Sequence, residues 1–169
     1  MLSVELCARM PIDAVAVAVV GHVPGVEHQS LARTQALTVQ DARDLAVDVA
    51  QEQPLAGLIL ISPISSGADF ADHHGLGWAK WLVGDPFDSL KKLERVSSPI
   101  LIIHGNEDRT LPIEMGRALH AAAPSGSTLI EVQGAGHSDL VSRAGRCYWI
   151  WISRFIHGAN AIDDTQCAE

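Results

Sequence analysis

The stretch Pro99-Ile-Leu-Ile-Ile-His-Gly-Asn-Glu-Asp-Arg-Thr-Leu-Pro112 decides the fold. Ile100 to Ile103 are apolar without alternation, as expected of a strand covered on both faces of a parallel sheet. Gly105 closes the run, and Pro112 sits well as a first-turn proline. Ile113, Met115, Leu119 and Ala122 then recur at helical spacing until Pro124 ends the helix. Outward from this unit, Gly57-Leu-Ile-Leu-Ile-Ser62 is a second continuous run, stopped by Pro63. Ala14 to Val20, closed by Gly21, is a further strand, and Ser127 to Val132, closed by Gly134, is a more mixed one nearer an edge. Leu31 to Gln53 has a helical period, with Val39, Ala42, Leu45, Ala46 and Val49 inward. A last amphipathic stretch, Leu140 to Ile156, puts Tyr148, Ile152, Phe155 and Ile156 on one side, and Trp149 and Trp151 widen that apolar face. From Ala159 onward the residues are small or polar, as in a frayed tail.

Strands alternating with helices define an α/β fold, a mostly parallel sheet with flanking helices, in one domain over residues 1–169. The connection from Ser62 to Ser98 breaks the rhythm. It starts Gly-rich, carries Trp78 and Trp81, and reads as an excursion over the strand ends, where such folds place ligand crevices.

Composition closes several alternatives. Of 169 residues, 47 % are hydrophobic and 19 % charged, which excludes a disordered or fibrous chain. With 12 basic against 20 acidic residues the net charge is −8, and no basic cluster exceeds Lys91-Lys92, so no nucleic-acid partner is expected. Cys7, Cys147 and Cys167 lie far apart with no CxxC spacing, which argues against a zinc site or a disulfide framework. The run Ala14–Val20 is too short to span a bilayer. With Asp13 at its edge and Arg9 as the only early base, it makes a poor signal peptide, so the expected location is cytoplasmic. No cofactor is expected.

The chemistry concentrates between Pro99 and Asp139. Asp108 follows the end of one strand. His137, in Gly134-Ala-Gly-His-Ser-Asp139, follows the end of the next. A carboxylate there can hold the imidazole in one tautomer and leave its other nitrogen free to take a proton from a hydroxyl. Glycines before the histidine let its loop turn tightly. Without that partner, Asp108 would read as a cap for the helix near Pro112, and His137 as a solvent-facing loop residue.

Gly57-Leu-Ile-Leu-Ile-Ser-Pro-Ile64, the stretch Pro99–Pro112 and Gly-Ala-Gly-His-Ser-Asp139 together resemble the C-terminal half of an α/β-hydrolase. The likeness is to its lid-poor branch of serine aminopeptidase-like proteins, small esterases and depalmitoylases. Asp85-Pro-Phe-Asp-Ser-Leu-Lys-Lys-Leu93 fits that branch as well. The resemblance covers roughly residues 45 to 157, leaving residues 1–44 divergent or truncated. It implies Asp108 as triad acid, His137 as base, and hydrolysis of a small-molecule ester, thioester or amide by acyl transfer.

The family's Gly-x-Ser-x-Gly nucleophile elbow is missing from this sequence. Counting back from Gly57 by the family's spacing lands at Thr38-Val-Gln-Asp-Ala42, without glycine or serine. Matching shape instead gives Gly21-His-Val-Pro-Gly25, with Val23 in the nucleophile's place; this segment alternatively matches the oxyanion loop. Ser30 is the only serine between the first strand and the long helix and stands as the candidate nucleophile. It lacks the glycine two residues before it. Ser62, Ser65 and Ser66 read as structural. The alternative is an inactive hydrolase-like module that binds an acyl ligand or a protein.

Asp69, Asp72, His73 and His74 imitate a metal cluster, but neighbouring histidines in an extended loop point apart, so no metal is expected. Trp78 and Trp81 either line an acyl pocket above His137 or pack the excursion on the sheet. His104 is expected at a strand end with a local hydrogen bond. Four strands leave a parallel sheet with an open edge, and a homodimer covering it is expected. Light scattering at micromolar concentration should give twice the chain mass; a monomer's mass would refute this.

Overall fold

The computed structural model describes residues 17–20, 47–48, 50–51, 55, 57–79 and 88–158. Ser30, the segments Gly21–Gly25 and Thr38–Ala42, Trp81 and the tail from Ala159 lie outside the described residues, as does most of the helix expected over Leu31–Gln53. Of that helix, residues 47, 48, 50 and 51 are helical, with Val47 and Ala50 buried.

Four strands form one sheet in the order β1 (Val17–Val20), β2 (Gly57–Ile61), β3 (Ile100–Gly105) and β4 (Thr128–Val132). β2, β3 and β4 are parallel, with Leu58 opposite Ile100 and Leu101 opposite Thr128. β1 is antiparallel to β2, and its last residue, Val20, stands opposite Gly57. The sheet is therefore mostly parallel, with one reversed strand.

β2 and β3 are buried along their whole length, which explains their unbroken apolar runs. Alternate residues still part to opposite faces, as the two-residue repeat of a strand requires. Ile59, Ile61, Leu101 and Ile103 pack with Tyr148 and Trp151 of the C-terminal helix. Leu58, Leu60, Ile100 and Ile102 pack with Leu93, Val96 and Leu119 on the other face. Removing each such side chain from water contributes about 1.5–3 kcal/mol, so the two layers hold the sheet between them.

The helices are α1 (Gly67–His73), α2 (Ser89–Leu93), α3 (Ile113–Ala122), α4 (Leu140–Ala144) and α5 (Arg146–Ile156), with a 3₁₀ turn at Gly77–Ala79. α3 starts directly after Pro112. The expected single helix Leu140–Ile156 is broken at Gly145, whose φ of 57° only glycine adopts without strain. The break resets the phase of α5. Tyr148 and Trp151 face the core, while Trp149 turns outward and is 54 % exposed, contrary to its expected place in the apolar face. Trp78 is 71 % exposed and does not pack the excursion on the sheet. No helix among the described residues is long and apolar enough to cross a membrane.

α5 meets the start of β2 at Gly57, where a Cβ would come within 2.7 Å of the Phe155 ring. Gly57→Ala is expected to cost about 1–3 kcal/mol through overpacking. In a Phe155→Ala background the same change should cost less by about 0.5 kcal/mol or more, beyond the ~0.3–0.5 kcal/mol scatter of additive sites. Urea unfolding of the four proteins in this double-mutant cycle checks it, and equal costs in both backgrounds would refute the contact.

Candidate active site

The C-terminal ends of β2, β3 and β4 open on one side of the sheet, and the loops that leave them are tied together. Gly105 ends β3 where a Cβ would overlap the carbonyl oxygen of Ala135. Only glycine lets the loop after β4 come this close. The Asn106 backbone N–H donates to Val132, and that of Glu107 to Ala135 at 2.9 Å. The Asn106 side chain completes the join, donating to Gln133 Oε1 at 2.7 Å and accepting from the Gly134 N–H at 2.8 Å. Asp139 fixes the far end by accepting from the Gly136 N–H at 2.6 Å.

These ties place Asp108 and His137 in contact. His137 Nδ1 lies 2.7 Å from Asp108 Oδ2. The Asp108 side chain is fully buried and that of His137 is 24 % exposed. Since an ionised carboxylate only accepts, Nδ1 carries the hydrogen, and Nε2 makes no hydrogen bond among the described residues. The other oxygen, Oδ1, accepts from the N–H groups of Thr110 and Leu111, both at 2.8 Å. Asp108 thus both shapes its own turn and holds the histidine. Burial pushes its carboxyl upward, but the His137 hydrogen bond, the Leu111 and Thr110 N–H groups and the imidazolium charge together hold it below the usual carboxylate range.

The remaining candidates fall as follows. His104 is fully buried, and its Nε2 donates to the Leu111 carbonyl at 2.8 Å, the local bond expected of it. Ser65 Oγ donates to Asp69 at 2.6 Å, and Ser66 caps α1 by accepting from the Asp69 N–H at 3.0 Å. Ser62, just past β2, is buried with φ of 41°, and its hydroxyl has no hydrogen-bond partner among the described residues. His73 and His74 do not sit in an extended loop pointing apart. They end α1, with rings 5.0 Å between centroids, and both reach the loop after Asp108. Among the described residues no group of three acidic, histidine or cysteine side chains could hold a metal. A shallow cavity of about 390 Å³ opens beside Glu107, Asp108, Arg109 and Glu114, but His137 does not line it. Sequence reasoning assigned no role at this site to Asn106 or Asp139, and it weighed His73 and His74 only as metal ligands, not as partners of the loop after Asp108. Only the offset of Asn106 and Asp139 from the two motif residues could have drawn notice.

A buried aspartate after one parallel strand, bonded to a histidine after the next, defines a protein of the α/β-hydrolase class. Residues 68–167 match the profile of the TAP-like protein family, and the chain belongs to that family of α/β-hydrolases. Alpha/beta hydrolase domain-containing protein 17C of Xenopus tropicalis is 38 % identical over 96 residues, 56 % of this chain and 29 % of that protein. Its human counterpart is 36 % identical over 96 residues, 56 % of this chain and 28 % of its own. An uncharacterized protein of Mycobacterium tuberculosis is 33 % identical over 113 residues, 66 % of this chain and 40 % of that one. The chain thus spans less than a third of the length of the protein 17C relatives. Among solved structures, Paleococcus ferrophilus monoacylglycerol lipase aligns with a TM-score of 0.51 at 17 % identity, covering 67 % of this chain and 63 % of the lipase. Pyrococcus horikoshii acylaminoacyl peptidase gives 0.51 at 14 % identity, covering 71 % and 23 %. At such identities the likeness is one of fold.

Asp108→Asn keeps the shape and removes the charge. At pH 7 it is expected to cost about 1.5–3 kcal/mol, the range for hydrogen bonds to a charged group. The folded carboxyl titrates below its unfolded value of about 3.9, so its stabilisation is complete above that pH and is lost as pH falls through the folded value. Denaturant unfolding of both proteins should show the gap narrowing below pH ~4. A gap unchanged between pH 7 and pH 3 would contradict the coupling.

Proposed function

We propose that this chain hydrolyses an ester, thioester or amide of a small acyl substrate by acyl transfer, with His137 as base and Asp108 as the acid that orients it. The observation that carries this reading is the 2.7 Å contact of His137 Nδ1 with a fully buried carboxylate, while the ring remains partly open to solvent. A serine Oγ–H loses its proton to His137 Nε2 as Oγ bonds to the acyl carbon. The tetrahedral intermediate then expels the alkoxide, thiolate or amine, which takes that proton from the imidazolium. Water repeats the sequence and releases the acid, regenerating the serine. Asp108 stays ionised throughout and compensates the imidazolium charge.

Ser30 is the nucleophile in this reading, as the serine between the first apolar run and the helical stretch. A second reading, a module that binds an acyl ligand without turning it over, is favoured by one specific observation. The sequence contains no Gly-x-Ser-x-Gly, so a strained elbow that would activate a serine is not encoded in the usual form.

Fluorophosphonate labelling with peptide mapping separates the two. Under acyl transfer a single peptide containing Ser30 is labelled. Ser30→Ala abolishes the label, and His137→Ala or Asp108→Asn slows labelling by roughly 10³–10⁴-fold, as in other triads. Unlabelled protein that unfolds cooperatively would overturn the acyl-transfer reading in favour of the binding module.

A further inference from the structure

The three residues after Asp108 are bonded on both sides. Their N–H groups at Thr110 and Leu111 point to Asp108 Oδ1. Their carbonyls point the other way, each to a different histidine: Arg109 to His73 Nε2 at 3.0 Å, Thr110 to His74 Nε2 at 3.1 Å and Leu111 to His104 Nε2 at 2.8 Å. A carbonyl can only accept, so each ring donates from Nε2. His104 comes from β3, whereas His73 and His74 come from the C-terminal end of α1. α1 is itself held by Phe70, which packs on Ile64, Leu111 and Met115 and meets the His74 ring at 4.4 Å between centroids, tilted by 51°.

We propose that His73 and His74 are positioning residues: by gripping two successive carbonyls of the loop they fix the turn whose N–H groups bind Asp108, and so aim the carboxylate at His137. The proposal rests on the role of Asp108 in the acyl-transfer reading. Its geometry bears directly on whether that role can be fulfilled. A turn free to rotate its peptide planes would withdraw the Thr110 and Leu111 N–H groups, and a buried carboxylate that loses those donors is no longer held in one orientation. Both histidines lie far from the motif residues in sequence. Both residues are exposed, so their replacement removes two hydrogen bonds and, at His74, the ring contact with Phe70, without opening a buried cavity.

The test compares the His73→Ala/His74→Ala protein with His73→Gln/His74→Gln, whose amide Nε2–H can still reach a carbonyl. The Asp108 carboxyl carbon is titrated by NMR in ¹³C-aspartate-labelled protein. The alanine pair is expected to raise its midpoint by about half a pH unit or more, with amide exchange at Thr110 and Leu111 faster by about tenfold. The glutamine pair should restore both values, although it too lacks two ionisable rings. An equal rise in both variants would assign the effect to lost positive charge and overturn the proposal; no rise in the alanine pair would overturn it as well. If the alanine pair does not fold, the single His74→Ala and His74→Gln proteins give the same comparison. The readout needs no turnover. A chain that no fluorophosphonate labels therefore fails the acyl-transfer reading and still answers this one.

Discussion

A carboxylate taken out of water must be satisfied where it lies, and Asp108 sets that condition for everything around it. Its two oxygens collect three hydrogen bonds, two from its own turn and one from His137. An ion left uncompensated in such a place would shed its charge instead. The loop after β3 must therefore be tight, and the loop after β4 must come within contact distance of it. Gly105 and the doubly bonded Asn106 side chain are the local answers to that requirement. The parallel register of β3 and β4 is the global one, since it delivers both loops to the same end of the sheet.

That register also limits what β1 can contribute. A nucleophile elbow needs a strand that runs toward the catalytic end and turns sharply there. β1 runs the other way, and Val20 finishes beside Gly57, at the ends of the strands remote from Asp108. The apolar run Ala14–Val20 and its glycine had the look of a strand leading into an elbow. Composition cannot reveal direction, because an edge strand pairs through its backbone whichever way it points. The match of shape at Gly21–Gly25 thus loses its structural premise, a parallel strand before it.

What the sequence made legible follows the same division between local and tertiary information. β2 and β3 declared themselves because a strand buried on both faces must be apolar throughout, and the alternation of faces needs no polar residue to mark it. Asp108 and His137 were legible because strand ends in a parallel sheet converge, so two motifs far apart in the chain had a reason to meet. The positive-φ break at Gly145 was not legible, since a single glycine inside a helical period is tolerated and does not by itself mark an end. The exposure of Trp149 follows from that missed break. The convergence of His73 and His74 on Arg109 and Thr110 depends on how α1 seats on Leu111 and Met115, and no spacing in the chain encodes it.

Four histidines surround one short loop, and their partners decide which of them can do chemistry. His73, His74 and His104 each donate to a backbone carbonyl, a dipole that offers only a fraction of a charge against a positive ring. His104 also lies 3.7 Å from Asp108, but it is fully buried and presents no edge to solvent. His137 alone combines a hydrogen-bonded carboxylate behind the ring with an open edge in front of it. When Nε2 of such a ring takes a proton, the charge that appears is already compensated, and the cost of creating it falls where a transition state needs it to fall. The same residue type is thereby divided by its acceptor: His73, His74 and His104 each meet a neutral carbonyl, and His137 meets a buried carboxylate that can offset a positive charge on the ring.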